Sequence, residues 1–448
     1  MRHFGEARRD AAAAVLEPGV LDRCEQLCLL WDVAGRLRVL VKPAAGNDEG
    51  VLRSDLGAAL AAACGSFWSG EVWVRGAADD TAARRVYEAA WRLARPLSPA
   101  GASGGEVREL DRHLSKETWF GEPRTPPWPL QGQTPPIIAF YSFKGGVGRT
   151  TALVALALQL ARAKKRVCVV DLDLEAPGVG VLLAPTSGPA RYGVVDFLVE
   201  HEVSAAGKID LGEYFHLYDD PRALGEGPPI AVVPAGTLDG DYLEKLARID
   251  YQRLLQPEHP NEPALEALLK RLRAARQADY VLLDSRAGLH DLGGLALNGI
   301  AHLDVLFALD NEQSWQGLGL VVDHLGRRRV ERGLEQQSCM LVQAMALAAT
   351  DPNRKGKVEE FRDRAYELFS DAFYDQEPSA GWPDPLPEDV WPIPAVDVGD
   401  EPHTPVPIGF QDYLLRPWTV DTAAQVLTQG DFGGFAEALL ARVGRSSP

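Results

Sequence analysis

The sequence predicts an α/β protein in which a small α+β domain precedes a doubly wound, mostly parallel sheet. Short apolar runs alternate with amphipathic helical stretches over residues 137–448, a pattern typical of strands joined by crossover helices. A glycine-rich turn joins the first of these strands to the first of these helices. A proline-rich segment separates this region from residues 1–120. These three observations define the predicted architecture.

The composition indicates a globular protein of two or three domains. The chain has 448 residues, 46% of them hydrophobic and 24% charged, and a domain averages about 150 residues. The net charge of −17 repels phosphate backbones, so nucleic acid is not an expected partner. The five cysteines include no Cys-x-x-Cys pair, and no apolar run reaches the roughly 18 residues of a membrane span. We therefore expect a cytoplasmic protein with reduced thiols and no membrane span.

Residues 1–120 predict a small α+β domain of unknown role. Strand patterns occur in LCLLWD, LRVLVKP and GEVWVRG, and helical spacing occurs in VLRSDLGAALAAAC and TAARRVYEAAWRLARPL. This domain contains no recognisable catalytic constellation of residues. Residues 121–136, GEPRTPPWPLQGQTPP, predict a proline-rich linker, because proline favours extended chain and blocks helix formation.

Residues 137–448 open with a βαβ unit made of the strand IIAFYS, the helix TALVALALQLARAKK and the strand RVCVVDLD. Further strands are expected at IAVVPAG, DYVLLDS, LDVLFALD and CMLVQAM. A proline-rich surface excursion is expected near residues 377–407, and a last helix at FAEALLARV.

The turn FKGGVGRTT, residues 143–151, has the composition of a phosphate-binding loop. Glycine lacks a Cβ atom, so the backbone N–H groups can curl closely around a compact anion such as a triphosphate. The N-terminus of the following helix adds positive potential. Thr150 stands where a hydroxyl can ligate Mg²⁺, and Arg149 stands where a cation can reach the phosphates.

The motif KGGVGRTT resembles the deviant Walker A motif, KGGxGK followed by Ser or Thr, of the ParA/MinD-type P-loop ATPases of the SIMIBI class. More narrowly, it resembles a subfamily with the wording KGGVGR. The resemblance implies ATP and Mg²⁺ as cofactors, and a nucleotide-dependent homodimer in which Lys144 reaches the nucleotide of the partner subunit. The residues that it assigns to nucleotide binding in this loop are Lys144, Gly145, Gly146, Val147, Gly148, Arg149, Thr150 and Thr151.

Acidic residues follow two later strands in positions that the same family uses. The resemblance assigns Asp171 and Asp173 to switch I, facing Mg²⁺ and the attacking water, and Asp284 to the Walker B motif. Residues 285–291, SRAGLHD, would form switch II. The implied metal site is Thr150, Asp171, Asp173 and Asp284, and the implied catalytic set is Lys144, Asp173 and Arg286.

The loop departs from the family pattern at two positions. Phe143 stands where many relatives have the first glycine, and Arg149 replaces the usual lysine. A guanidinium is planar and bidentate whereas a lysine acts as a point charge, so we expect nucleotide binding with slow, partner-dependent hydrolysis. Arg286 has two interpretations: it senses the γ-phosphate or acts at a dimer interface, or it forms an ion pair that braces switch II.

Base recognition is the least specific prediction. Gln343 and Pro394 are the nearest counterparts of residues that flank adenine in the related proteins, although ordinary packing at strand ends explains them equally well. The sequence has no NKxD guanine motif, which favours ATP over GTP.

These observations predict an Mg²⁺–ATP switch that controls a partner protein through residues 1–120, in a bacterial defence or signalling system. The alternative is a nucleotide-binding scaffold without meaningful hydrolysis. A tyrosine kinase is disfavoured because the chain has no tyrosine-rich tail. A DNA-tethered partitioning ATPase is disfavoured because the basic clusters at 270–276 and 327–332 are typical of solvated helix faces.

Overall fold

The computed structural model describes residues 2–75, 81–97, 105–121, 124–132, 134–203, 209–251, 254, 262–331, 338–374 and 393–445. The described residues up to Ser115 form one compact unit, and those from Lys116 onward form a second. The predicted domain boundaries at 120 and 136 stay predictions. The second unit begins with residues that the sequence analysis assigns to the N-terminal domain.

The first unit is a five-stranded mixed sheet with helices on both faces. Its helices are α1 (Phe4–Val15), α2 (Pro18–Leu21), α3 (Glu49–Cys64) and α4 (Thr81–Leu93), and its strands are β1 (Cys24–Trp31), β2 (Leu37–Pro43), β3 (Trp68–Val74), β4 (Arg95–Pro96) and β5 (Glu106–Asp111). The strand order is β3-β2-β1-β5-β4. Alternation along β1 directs Leu27 and Leu29 to the core under α1 and α3, and Cys28 to the smaller core under α4. The predicted α+β class is confirmed.

The second unit is built on an eight-stranded sheet. Its strands are β6 (Ile137–Ser142), β7 (Val167–Leu172), β8 (His216–Tyr218), β9 (Ile230–Val233), β10 (Tyr280–Ser285), β11 (Leu303–Ala308), β12 (Ser338–Ala346) and β13 (Val406–Gly409). The order is β13-β12-β11-β6-β10-β7-β9-β8. Every paired neighbour is parallel except β8, which runs antiparallel to β9. The predicted mostly parallel sheet is confirmed.

Helices cover both faces of this sheet. They are α5 (Glu117–Phe120), α6 (Arg149–Arg162), α7 (Val179–Leu182), α8 (Val194–Val203), α9 (Pro221–Leu224), α10 (Tyr242–Leu246), α11 (Ala264–Arg276), α12 (Asp291–Leu295), α13 (Glu312–Glu331), α14 (Arg354–Phe369), α15 (Val420–Thr428) and α16 (Gly430–Arg445). Short 3-10 or π-helical turns are Gly65–Phe67, Leu211–Glu213, Ala296–Ile300, Ser370–Tyr374 and Asp412–Leu415. One face of β6 packs with α6, α15 and α16, and the other packs with α8 and α11. The helical coverage explains why β6, β7 and β11 are buried along their whole length.

The sheet order places three predicted site segments at one edge. Strand β10 lies between β6 and β7, and Asp284 near its end is in register with Asp171 near the end of β7. The glycine-rich turn follows β6 directly. Since the carboxyl ends of parallel strands meet at the same edge, these segments converge there.

The predicted proline-rich excursion near 377–407 lies partly outside the described residues, which resume at residue 393. Its last two residues begin β13, which pairs in parallel with β12. The five cysteines are buried thiols. Within the described part of the chain, every helix is too short or too polar to cross a bilayer.

Candidate nucleotide-binding site

The loop between β6 and α6 forms an open cradle. Gly146 and Gly148 have φ angles of 72° and 83°, in the left-handed region that glycine adopts without strain. A Cβ atom built at Gly145, Gly146 or Gly148 would have no neighbour within 4 Å. Gly148 is the N-cap of α6, so the loop ends where the backbone N–H groups of a helix are unpaired. The cradle therefore has the space and the donors that an anion needs.

A cavity of about 600 Å³ opens over this loop. Polar residues of the loop line it together with Asp173 and Arg286. Apolar residues at and beyond the ends of β11, β12 and β13 also line it; they include Phe307, Met345, Ile408, Phe410, Leu414 and Phe432. A cavity that combines anion donors with an apolar wall suits a nucleotide, whose phosphates are charged and whose base is flat.

Arg149 forms a buried ion-pair bridge at the centre of the site. Its Nε donates to Oδ1 of Asp284 at 2.6 Å, and its Nη2 donates to Oδ2 of Asp173 at 3.1 Å. The Thr150 hydroxyl donates to Oδ2 of Asp284 at 2.6 Å. Arg149 is only 7% exposed, and the neighbouring carboxylates raise the pKa of its guanidinium despite its burial. In this arrangement the loop cation neutralises the carboxylates of the opposite strands.

Asp171 has a different environment from Asp173. Its Oδ1 accepts the N–H of Asp173 at 3.1 Å, and its Oδ2 accepts the N–H groups of Gly178 and Val179 at 3.2 and 3.1 Å. Burial, and then the charge of Asp284, raise the pKa of Asp171 to about 8. Asp171 is absent from the described residues that line the cavity. The structure therefore gives Asp171 the task of holding the turn after β7.

Arg286 joins the predicted switch II, residues 285–291, to the turn after β7. Its Nη1 lies 3.2 Å from Oδ1 of Asp173, and its Nη2 lies 2.7 Å from Oε2 of Glu175. His290 Nε2 lies 2.7 Å from the other carboxylate oxygen of Glu175, while its Nδ1 accepts the N–H of Leu292. An ion pair of the bracing kind is therefore present, and Arg286 also lines the cavity, so both interpretations of Arg286 stay predictions. Sequence reasoning missed Glu175, although its position two residues after Asp173 is a usable signal.

Lys144 lies half-buried at the start of the loop. Its ammonium group makes no hydrogen bond or ion pair with any residue that the structure describes. Val147 is buried, and Thr151 lines the cavity with the rest of the loop. Lys144 is thus a cation without an internal partner in the described chain.

Neither predicted base contact lies in the wall of the cavity. Gln343 is 4% exposed and lies within β12, in register with Ala308 of β11 and Pro407 of β13. Pro394 is also absent from the described lining residues. The wall is formed instead by Met345, two residues beyond Gln343, and by Phe410 and Gln411 after β13. The sequence analysis missed Phe410 and Gln411 because it predicted no strand after the proline-rich surface excursion, which it ended near residue 407.

Phe143 is accommodated by a glycine far away in the sequence. A Cβ atom on Gly317 in α13 would lie 2.0 Å from the Phe143 ring, so the ring occupies the space that the missing side chain leaves. The aromatic residue at the start of the loop is therefore matched by a gap in the helix beside it.

Comparisons with known proteins agree with this geometry. A family model described as an AAA domain matches residues 136–181, which contain β6, the loop, α6 and β7. The chromosome-partitioning ATPase Soj of Thermus thermophilus is 33% identical over 163 residues, covering 34% of this chain and 59% of Soj. The chain is similar to P-loop ATPases of the ParA/MinD type. The resemblance predicted from KGGVGRTT is confirmed.

Other similar proteins include an uncharacterized ATP-binding protein of Methanocaldococcus jannaschii, 24% identical over 219 residues, or 48% of this chain and 75% of that protein. Among solved structures, the ParA family ATPase from Chlorobium tepidum has a TM-score of 0.41 at 13% identity, covering 68% of this chain and 99% of that one. The septum site-determining protein MinD from Pyrococcus horikoshii, complexed with Mg-ADP, has a TM-score of 0.33 at 20% identity, covering 47% and 70%.

The site has donors that suit Mg²⁺ only in part. Among the described residues, no group of three or more His, Cys, Asp or Glu side chains is placed to hold a metal. Thr150 and Asp284 supply hydroxyl and carboxylate oxygens, which are hard ligands of the kind that Mg²⁺ prefers. Two protein ligands suit a magnesium ion that arrives with phosphates, because Mg²⁺ in nucleotide sites keeps phosphate and water ligands.

Proposed function

We propose that this chain binds Mg²⁺–ATP over the loop of residues 143–151 and hydrolyses it slowly, as a switch that dimerises with nucleotide and controls a partner protein. The observation that carries the proposal is the contact of Arg149 and Thr150 with Asp284 beside an open glycine cradle. Cation, hydroxyl, carboxylate and unpaired backbone donors are the four parts that a triphosphate site needs.

Each part has a task in binding. The backbone N–H groups of residues 145–151 would donate to the phosphate oxygens, and the apolar wall around Phe410 would contact the base. Arg149 would have to leave its carboxylate partners to reach the phosphates. Thr150, with Asp284 and Asp173 behind it, would hold Mg²⁺. When bound, that ion would neutralise the charge that develops on the phosphoryl group during transfer.

Calorimetry with Mg²⁺–ATP tests this proposal. We expect saturable binding to the full chain and at least a tenfold loss of affinity in Thr150→Val, because the hydroxyl that faces Asp284 is removed. Thr428→Val is the matched control, since the hydroxyl of Thr428 donates to Ala424 O within α15 and does not line the cavity. A wild-type chain that binds no adenine nucleotide with magnesium would refute the proposed function.

The second candidate is a nucleotide-binding scaffold without meaningful hydrolysis. The observation that favours it is the buried pairing of Arg149 with Asp173, which ties up the carboxylate that the resemblance assigns to the attacking water. Single-turnover hydrolysis of radiolabelled ATP separates the two functions. Phosphate release on excess enzyme supports the switch, and bound but intact ATP after hours supports the scaffold.

The partner surface and the location belong to the same proposal. Control of a partner protein through residues 1–120, and a cytoplasmic site of action, stay predictions. With a net charge of −17, binding to nucleic acid is not part of the proposed function.

A further inference from the structure

The strap, defined as residues 116–121 at the start of the second unit, is hydrogen-bonded to the end of switch II. The Thr118 hydroxyl donates to the carbonyl of Asp291 at 2.6 Å. The indole N–H of Trp119 donates to the carbonyl of His290 at 2.8 Å. Both carbonyl groups belong to residues at the beginning of α12, so the strap contacts switch II where it passes into that helix.

Close packing fixes this contact. Thr118 is fully buried and Trp119 is 8% exposed. A Cβ atom on Gly294 of α12 would lie 2.6 Å from both Thr118 Oγ1 and Trp119 Nε1. Only a glycine at this position lets α12 approach the strap closely enough for both hydrogen bonds. Close packing against the strap therefore explains the second glycine of the sequence DLGG at 291–294.

The opposite side of the strap is held by α13. Arg328 Nη2 donates to the carbonyl groups of Trp119 and Gly121 at 3.1 and 2.5 Å. The Trp119 ring lies edge-on to Tyr141, the last residue but one of β6, with ring centroids 6.2 Å apart. The Tyr141 hydroxyl in turn donates to the carbonyl of Gly288 within switch II at 3.0 Å. The strap thus contacts the end of switch II directly, at His290 and Asp291, and contacts its middle, at Gly288, through Tyr141.

A short series of polar contacts connects the strap to the Arg149 ion pairs. The indole of Trp119 is hydrogen-bonded to the carbonyl of His290, whose ring contacts Glu175. Glu175 forms an ion pair with Arg286, and Arg286 forms one with Asp173, the partner of Arg149. Each of these contacts between Trp119 and Arg149 is 3.2 Å or shorter. A rearrangement of Arg149 on nucleotide binding would therefore change the environment of the strap.

We propose that Thr118 and Trp119 are positioning residues, which hold switch II in the geometry that hydrolysis needs and carry its state to the chain that leads back into the first unit. This inference rests on the proposed function. The strap directly follows Ser115, the last described residue of the first unit, so a change in the strap reaches the chain that leads back into that unit.

The test compares Trp119→Phe and Thr118→Val with wild type in the full chain. Each variant removes one donor and keeps most of the buried volume. We expect single-turnover hydrolysis about tenfold slower, the cost of one buried hydrogen bond, with ATP affinity within twofold of wild type. Amide hydrogen exchange of residues 286–295 is expected to rise in the nucleotide-free variants. Thr118→Ser, which keeps the hydroxyl, is expected to hydrolyse ATP at the wild-type rate.

Trp128→Phe is the matched control. Its indole N–H also donates to a backbone carbonyl, that of Pro135 at 2.7 Å, and the residue is 4% exposed. Its other recorded polar and ring partners in the described chain are His302 and Arg273, which lie outside switch II. Equal rates and equal exchange of residues 286–295 in Trp119→Phe and Trp128→Phe would overturn the inference. Absence of ATP binding by wild type would refute the proposed function instead, and the exchange of residues 286–295 in nucleotide-free protein would still decide whether the strap holds switch II.

Discussion

Arg149 is the residue on which the chemistry of the site depends. A lysine at this position is a compact point charge, whereas the guanidinium bridges two carboxylates with separate N–H groups. Because Arg149, Asp173 and Asp284 are all buried, separating them is costly unless other charges replace the lost partners. Under the proposed function, phosphates would replace the carboxylates, so ATP would compete with Asp173 and Asp284 for this side chain.

We predict that Asp173→Asn strengthens the binding of ATP measured in EDTA. The substitution removes one of the two carboxylates that hold Arg149, which frees the guanidinium for the phosphates. About tenfold tighter binding is expected, the magnitude of one charged hydrogen bond. Isothermal titration with metal-free ATP is the measurement.

Glu175→Gln is the control for that experiment, since it changes the net charge equally but its carboxylate pairs with Arg286 and His290 and not with Arg149. Equal gains in the two variants would mean that general electrostatics, and not release of Arg149, governs the binding.

The motif identifies the residue types of the site but not their pairing. The positions of the glycines, Arg149 and Thr150 follow from local sequence, because a strand, a turn and a helix fix them within nine residues. The contact of Arg149 with carboxylates 24 and 135 residues away depends on the order of the strands. Glu175 and the strap were missed for the same reason, since their partners lie in other elements.

At the level of elements, His302 fixes the start of β6. Its Nδ1 accepts the N–H of Ile137 at 2.9 Å, and its Nε2 lies 2.9 Å from the carbonyl of Trp128. The ring must be neutral for Nδ1 to accept. Burial lowers the pKa of His302, in agreement with this hydrogen bonding.

We predict that the contribution of His302 to the free energy of unfolding is lost as pH is lowered below about 6.5. The pKa of His302 is lower in the folded than in the unfolded protein, so its contribution is complete above the unfolded value and is lost as pH falls through the interval between the two. Urea unfolding at pH 7.5, 6.5 and 5.5 measures the slope of this free energy against pH. His302→Gln should show a shallower slope, and an identical slope would contradict the assignment.

The elements themselves were predictable to different degrees. β6, α6, β7 and β10 follow from apolar runs and helical spacing, because burial on both faces leaves a clear sequence signal. β13 has only four residues, VPIG, and includes a proline that an edge strand tolerates. Its existence depends on pairing with β12, which no local pattern reveals.

At the level of the whole molecule, the proposed dimer would bring Lys144 to a second subunit. It precedes Gly145, which lines the cavity, and it has no internal ionic partner in the described chain. The resemblance to ParA/MinD-type ATPases gives the corresponding lysine a role across a dimer interface. In a chain of net charge −17, two copies repel each other, and a cation at the interface would offset part of that repulsion.

We predict that ATP converts the wild-type chain from monomer to dimer and that Lys144→Ala abolishes this conversion while ATP binding persists. Mass photometry with ATP, with ADP and without nucleotide measures the state. Lys164→Ala serves as control, because Lys164 is exposed and pairs with Glu226 of its own chain. A monomer under all three conditions would exclude the dimerisation switch.

The Phe143 and Gly317 pair constrains any attempt to rebuild this loop in the more common form. Replacing Phe143 by glycine alone would open a void as large as a phenyl ring against α13, and adding a methyl group at Gly317 alone would drive it into the aromatic ring. The two positions therefore form a single packing unit. Transfer of this loop to another scaffold would therefore also require a glycine at the position of Gly317 in the adjacent helix.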